Sequence, residues 1–410
     1  MSQLRSDLEV SLLTGGGDKP YAFGLATALL AKGLRLDFIG SDDVDSPELH
    51  TDPNLTFLRL RGDQSERAPL AAKLWRILLY YSRLIRYAAV ARPRIFHILW
   101  NNRFQTFDRT LLMLYYKLRR KKIAFTAHNV NAAKRDGLDS WLNRRTLAIQ
   151  YWLADHIFVH TEPMKAELIA DFAVDEQRVT VIPFGINNAV PHTALTPAEA
   201  KRRLGIQPGT ETILFFGRIA PYKGLDLLAR AFVQLAAERP SLRLVIAGKP
   251  RPECAEYVAG IQETIRRAGL GDHVIEKLEH TPDEDTEIYF KAADVLVLPY
   301  TRVFQSGVLF LAYSFGLPVI ATDVGSFRDD VDERKSGFMA RSSDPADLAG
   351  ALRTYFVSDL FENLDQRRPA IMRWAQARHS WETVAERTVD VYARLLEHSC
   401  PHAAITEVNG

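Results

Sequence analysis

The chain has 410 residues, is 47% hydrophobic and carries a formal net charge of +2, which allows two domains, or three small ones, with full-size cores and excludes a disordered chain or a small stapled scaffold. Its two cysteines, Cys254 and Cys400, support neither a disulfide framework nor a cysteine metal cluster and fit a reducing cytosol. Residues 1–17 lack a basic segment followed by a long apolar run, and no stretch reaches ~18 uninterrupted apolar residues, so neither a signal peptide nor a membrane span is expected.

Apolar strand-like runs alternate with helical patterns along the chain. The first half offers strands at 9–13, 35–39, 55–60, 95–100, 122–126, 156–161 and 179–183, with helices between most of them, including 21–32 and 71–90. Turn residues Asn187 to Pro191 follow, then Thr196-Pro197-Ala198-Glu199, which has the N-cap, first-turn Pro and first-turn acid of a helix start. The second half offers strands at 212–216, 242–247, 274–276, 295–299 and 318–322. A helix at 380–397, capped by Ser380, comes last. Short runs bounded by Gly and Pro and alternating with helices predict parallel sheets with right-handed crossovers. The fold class expected is therefore α/β, with two doubly wound, Rossmann-like domains. The boundaries read as 1–188 for the first, 189–378 for the second, 379–398 for a helix packing back on the first, and 399–410 for a flexible tail.

Residues 213–224 read as a buried strand, a loop holding Gly217, Arg218 and Lys223, and then a helix from Leu225. A loop at the carboxyl end of a parallel strand lies where α/β sheets bind ligands, and a diphosphate suits a guanidinium fork beside an ammonium. Two solvated surface cations are the plainer alternative. Gly15-Gly16-Gly17 sits between a strand and a helix, where glycine lets backbone approach an anionic ligand or simply makes a tight turn. It is not a complete G-x-G-x-x-G, so a dehydrogenase is not supported. His128 and Asn129 end the strand at 122–126. His156 and His160 flank an apolar strand and read as structural. No His, Cys, Asp or Glu set has metal-ligand spacing.

The segment Gly217-Arg218-Ile219-Ala220-Pro221-Tyr222-Lys223-Gly224-Leu225 resembles the donor-binding loop of the retaining nucleotide-sugar glycosyltransferases of family 4, which have the GT-B fold. Gly15-Gly16-Gly17 with Phe23-Gly24-Leu25-Ala26, Val181-Ile182-Pro183-Phe184-Gly185-Ile186, Ala292-Ala293-Asp294-Val295 and Gly316-Leu317-Pro318-Val319-Ile320 resemble further family segments in order and spacing. The resemblance covers residues 10 to about 395. It implies two domains facing a cleft, a metal-independent, retaining hexosyl transfer, and a nucleotide-diphosphate sugar (UDP- or GDP-linked) as co-substrate with no other cofactor. It implies that His128 bonds the donor sugar and that Arg218 and Lys223 stabilise the departing diphosphate. Gly16, Gly17, Asn129, Gly217, Gln305, Ser306, Gly307 and Val308 are the remaining donor-side candidates, and Asp18 is the acceptor-side one.

One departure is specific. The family pattern places two Glu eight positions apart before its G-x-P segment, and those slots fall on Val303 and Leu311. The intervening Gln305-Ser306-Gly307-Val308 would instead supply an amide to the sugar and, at a helix start, a hydroxyl and free N–H groups to the diphosphate. A catalytically degenerate nucleotide-sugar-binding protein is the alternative reading.

Charge is unevenly spread. Residues 67–122 contain 14 Lys or Arg and one acid, Asp108. In 71–90, Lys73, Arg76, Arg83 and Arg86 interleave with Trp75, Tyr80, Tyr81 and several leucines. That pattern fits a helix lying on an anionic membrane surface, and it equally fits a core-packing helix with a cationic outer face. No nucleic-acid-binding module accompanies the charge. The expected setting is cytoplasmic, peripheral on the inner face of the membrane. The expected acceptor is a glycan or lipid-linked glycan of bacterial polysaccharide assembly.

Overall fold

The computed structural model describes residues 8–15, 19–62, 69–135, 137–186, 190–341 and 343–397. The chain forms two compact units, one built from Met1–Pro183 with Trp381–Gly410 and the other from Phe184–Ser380. Helices of six residues or more are numbered below.

Unit 1 holds a seven-stranded parallel sheet of β1 (Glu9–Leu13), β2 (Arg35–Ile39), β3 (Leu55–Leu58), β4 (Ile95–Ile98), β5 (Lys122–Thr126), β6 (His156–Val159) and β7 (Val179–Val181). The spatial order 3-2-1-4-5-6-7 runs outward in both directions from β1. Val10, Leu12, Phe96, Ile123 and Phe158 are buried, as strands covered by helices on both faces must be. The covering helices include α1 (Lys19–Ala31), α2 (Leu70–Val90), α3 (Met113–Leu118), α4 (Trp141–Leu153) and α5 (Glu162–Phe172). A π-turn, Asp108–Leu112, leads into α3.

Unit 2 repeats the plan with six parallel strands, β8 (Thr212–Phe216), β9 (Arg243–Ala247), β10 (Val274–Lys277), β11 (Val295–Leu298), β12 (Val319–Thr322) and β13 (Gly337–Ala340). Their order is 10-9-8-11-12-13. Its helices are α6 (Pro197–Arg203), α7 (Leu225–Ala236), α8 (Ala255–Arg267), α9 (Asp283–Ala292), α10 (Gly307–Ser314), α11 (Pro345–Phe356) and α12 (Leu364–Arg378). α6 starts with a full capping box: Thr196 Oγ1 accepts from Glu199 N, and Glu199 accepts from Thr196 N at 2.9 Å. The edge strand β13 was not legible in the sequence, because Gly337-Phe338-Met339-Ala340 contains no β-branched residue and follows a polar run.

The chain then returns to unit 1 as α13 (Trp381–Glu397). A methyl group on Gly24 would lie 2.2 Å from the Trp381 ring, so only glycine lets α1 and α13 approach this closely. Lys32 pairs with Glu382 and Glu386 at 3.1 and 2.9 Å. Deeper in, the Tyr392 hydroxyl meets His97 Nδ1 at 2.6 Å, while His97 Nε2 meets Thr126 at 2.7 Å. Burial holds His97 neutral, with its pKa pushed down to about 3.

At the start of β8 and β11, Lys201 Nζ pairs with Asp294 Oδ2 at 2.8 Å, both side chains being largely buried. Asp294 also accepts from Thr212 N at 2.8 Å, so one carboxylate ties α6, β8 and β11 together. Lys201→Met should leave that carboxylate buried and unpaired and cost about 3–5 kcal/mol in urea denaturation at pH 7.

Candidate functional site

In unit 2 the strand order reverses between β8 and β11, and the loops leaving their carboxyl ends diverge there. Such a switch point is where open parallel sheets bind ligands. The loop after β8 begins at Gly217, whose N–H donates to Ala247 O at 2.9 Å and whose φ of +97° suits glycine. It closes in a 3₁₀ turn, Pro221–Lys223, ending on Gly224. A methyl group on Gly224 would lie 1.9 Å from Pro299 O, so this backbone rests directly on the loop after β11. Thr301 N donates to Tyr222 O at 2.8 Å and laces the two loops further.

Lys223 is buried in this turn, its ammonium 5.5 Å from the centre of the Tyr300 ring. A methyl group on Gly217 would lie 3.2 Å from Lys223 Nζ and 3.4 Å from Val308 Cγ2. The loop glycine, the lysine charge and the first turn of α10 therefore meet at one point. Arg218 is exposed on the same loop. At the start of α10, Ser306 gives no side-chain cap, so the Val308 N–H lacks the usual cap acceptor and the Gly307 N–H precedes the first helical bond. An uncapped helix N-terminus beside a lysine is an arrangement that accepts a phosphate.

Two side chains behave differently from their sequence reading. The Ser306 hydroxyl is buried and turned toward the Tyr300 hydroxyl, 3.5 Å away, rather than outward. The Gln305 side chain lies beside Asp330 and favours its charged form, and the Gln305 Oε1 is buried without a hydrogen-bond partner. The vacated glutamate slots are apolar in fact as well as in sequence: Leu311 belongs to the core of unit 2 and Val303 packs against it.

In unit 1 the matching edge gathers Gly15, Trp100, His128 and His160. A methyl group on Gly15 would lie 2.2 Å from Trp100 O. His128 stacks on Trp100 with centroids 4.2 Å apart and meets His160 Nε2 through its Nδ1 at 3.1 Å. Burial, reinforced by the neighbouring histidines, lowers the His128 pKa well below its ordinary value, so it acts as a neutral hydrogen-bonding ring. His160 thus orients His128, whereas His156 bonds Thr180 at 2.8 Å. Asn129 is partly buried beside His128. Gly16, Gly17 and Asp18 lie outside the described residues.

Asp330 escaped sequence reasoning, since one acid among Asp329, Asp330 and Asp332 carries no pattern. Its carboxylate meets Ser326 Oγ at 2.5 Å, while Ser326 N donates to Phe304 O at 2.8 Å. These bonds fix the segment just before α10, so Asp330 positions the helix start. Burial raises the Asp330 pKa to about 6. A carboxyl whose folded value exceeds its unfolded one stabilises the fold most when protonated, and that contribution fades as pH rises through about 6. Asp330→Asn should therefore gain stability relative to the parent by about 2 kcal/mol between pH 4 and pH 8, read from urea denaturation at both pH values.

Comparison with known proteins adds an independent line. The family model for glycosyltransferase family 4 matches residues 15–190, and that for glycosyl transferases group 1 matches residues 210–357. The D-inositol 3-phosphate glycosyltransferase of Streptomyces avermitilis is 32% identical over 252 residues, covering 60% of this chain and 53% of the relative. A relative of the same description from Streptomyces scabiei is 33% identical over 248 residues, covering 58% of this chain and 54% of the relative. The chain thus spans about half the length of the curated relatives it matches. Among solved structures, sucrose-phosphate synthase of Thermosynechococcus elongatus superposes with a TM-score of 0.73 at 20% identity, covering 95% of this chain and all of that one. HepE of Anabaena superposes with a TM-score of 0.70 at 15% identity, covering 93% of this chain and 98% of that one. With both family models matched in order and two Rossmann-ordered sheets beneath them, the chain belongs to the group 1 glycosyl transferases of family 4 and has the GT-B fold.

Proposed function

We propose that this protein transfers a hexosyl group from a nucleotide-diphosphate sugar to an acceptor hydroxyl. The observation that carries the reading is the convergence of Gly217, Lys223 and the uncapped start of α10 at the switch point of unit 2. When the bond from the anomeric carbon to phosphate breaks, its electron pair leaves with the nucleoside diphosphate, whose negative charge grows. Lys223, Arg218 and the N–H groups of Gly307 and Val308 stabilise that charge, and stabilisation of this kind commonly accelerates a reaction more than any other single effect. The diphosphate is neutralised by protein groups, so the reading requires no metal. His128, neutral and braced by Trp100 and His160, orients the sugar. HepE of Anabaena is described in complex with UDP-glucose, which supports a UDP-linked donor, and GDP remains the second base to test. Retention of configuration follows the family resemblance, as does a glycan or lipid-linked acceptor in bacterial polysaccharide assembly.

Among the described residues no helix is long and apolar enough to cross a membrane. The cation-rich 67–122 stretch suits peripheral attachment to the anionic inner face of a membrane, with the chain in the cytoplasm.

The burial of Leu311 and the partial burial of Val303 where carboxylates would stand favour one other reading, a nucleotide-sugar-binding protein without turnover. Calorimetric titration with UDP- and GDP-sugars, paired with an assay of nucleoside diphosphate release, separates the two. Under the transferase reading, Arg218→Ala and Lys223→Ala each lower turnover by roughly 100-fold or more while thermal unfolding stays cooperative. Parent-like rates in both variants would sink it, and tight binding without any release would select the binding protein.

A further inference from the structure

Exposed apolar side chains are distributed very unevenly. Among the described residues, every exposed large hydrophobic lies between positions 74 and 152 except Ile169 and Val357. Scattered exposed leucines are ordinary, but a concentration of this kind marks an interaction surface.

Part of it lies on α4, outside the basic stretch. Trp141 and Trp152 are 72% and 73% exposed, and Ile149 stands between them. Positions 141, 145, 149 and 152 follow helical spacing, so they form one stripe roughly 16 Å long. Arg145 lies over the Trp141 ring at 5.5 Å. The opposite face is core: Leu147 and Tyr151 are buried, and the Tyr151 hydroxyl donates to Val130 O at 2.6 Å. The stripe is therefore left over after α4 has filled its place in the fold.

Neighbouring helices continue the stripe. Arg109 Nη1 donates to Asn143 Oδ1 at 2.8 Å and joins the π-turn before α3 to α4. That segment exposes Leu111, Leu114 and Leu118 at helical spacing. Tyr115 in turn donates to Ile85 O at 3.2 Å, joining α3 to α2, where Trp75 is 67% exposed.

Charge chooses the occupant. Asp108, the one acid of residues 67–122, is buried against Tyr81 and Asn102, so the outward faces of α2 and α3 present no carboxylate. On α4 the exposed charges are Arg144 and Arg145, and Asp139 is bonded to Arg144. Tryptophans at the ends of an apolar stripe with arginines alongside match the headgroup region of an anionic bilayer.

We infer that unit 1 inserts the Trp141–Trp152 stripe of α4, together with the apolar stripes of α3 and α2, into the surface of an anionic lipid membrane. This goes beyond electrostatic attachment through residues 67–122, because α4 lies outside that stretch and insertion does not depend on charge alone. It is also independent of the transferase reading, since the test below uses no sugar nucleotide.

The test is co-sedimentation of the full chain with vesicles of phosphatidylglycerol and phosphatidylcholine, and with phosphatidylcholine alone, at low and high salt. The parent should bind the anionic vesicles and keep part of that binding at about 1 M salt, where exposed charges are screened beyond ~3 Å. Its tryptophan emission should shift to the blue. The Trp141→Ser/Trp152→Ser double variant should lose the salt-resistant part and bind at least about tenfold more weakly, with an unchanged melting transition because both rings are exposed. A double variant that binds like the parent at every salt overturns the insertion and leaves the electrostatic reading standing. A parent that binds no vesicles, or that forms a dimer the double variant abolishes, assigns the stripe to another occupant and overturns the inference.

Discussion

A parallel sheet wound outward in both directions from its first strand must send two adjacent crossovers to opposite faces, and at that divergence the strand ends are left uncovered. Gly217, Lys223 and the uncapped start of α10 all sit at this one place in unit 2. β8 and β11 are neighbours in the sheet though 82 residues separate Thr212 from Asp294 in sequence, and the pair Thr212 N to Asp294 locks their other ends. With the amino ends fixed, the loops at the carboxyl ends have little freedom. Gly224 lies on Pro299 and Gly217 lies under Gly248, each at a distance that no side chain would permit. The placement of charge follows from this crowding, because it brings the Lys223 ammonium in toward Tyr300 and the start of α10.

The same logic explains how the chain manages without carboxylates at positions 303 and 311. Leu311 contributes to the core, so α10 is anchored by apolar packing on its inner side. Its N-terminal end still needs an anchor, and Asp330 supplies one through Ser326, whose N–H donates to Phe304 O. There the Asp330 carboxylate shapes the backbone before α10 through Ser326.

Much of this was legible in the sequence. β1, β2, β5 and β8 begin and end at the residues their sequence runs indicate, because strands covered by helices on both faces are rich in apolar residues. The helix start at Thr196 was legible for the same reason, since capping is local chemistry. Other features were hidden because they depend on tertiary neighbours. The Gln305 amide could have faced a ligand or the interior, and only the position of Asp330 decides. The helix at 71–90 splits its apolar residues between two faces: Tyr80, Tyr81, Leu84 and Ala88 are core, while Leu74, Trp75 and Leu78 are exposed. On α4, periodicity alone could not say which of two apolar faces the fold would claim.

The contact between Gly24 and Trp381 has a consequence for biogenesis. Unit 2 is a single contiguous segment, Phe184–Ser380, whereas unit 1 is assembled from both ends of the described chain. As the chain emerges from the ribosome, the first sheet is made early yet lacks the helix that seals α1 and bonds His97. Unit 2 can condense as soon as its last strand and helices have emerged. Unit 1 reaches its final packing only after α13 arrives, so the first half of the sequence to be synthesised is the last to mature.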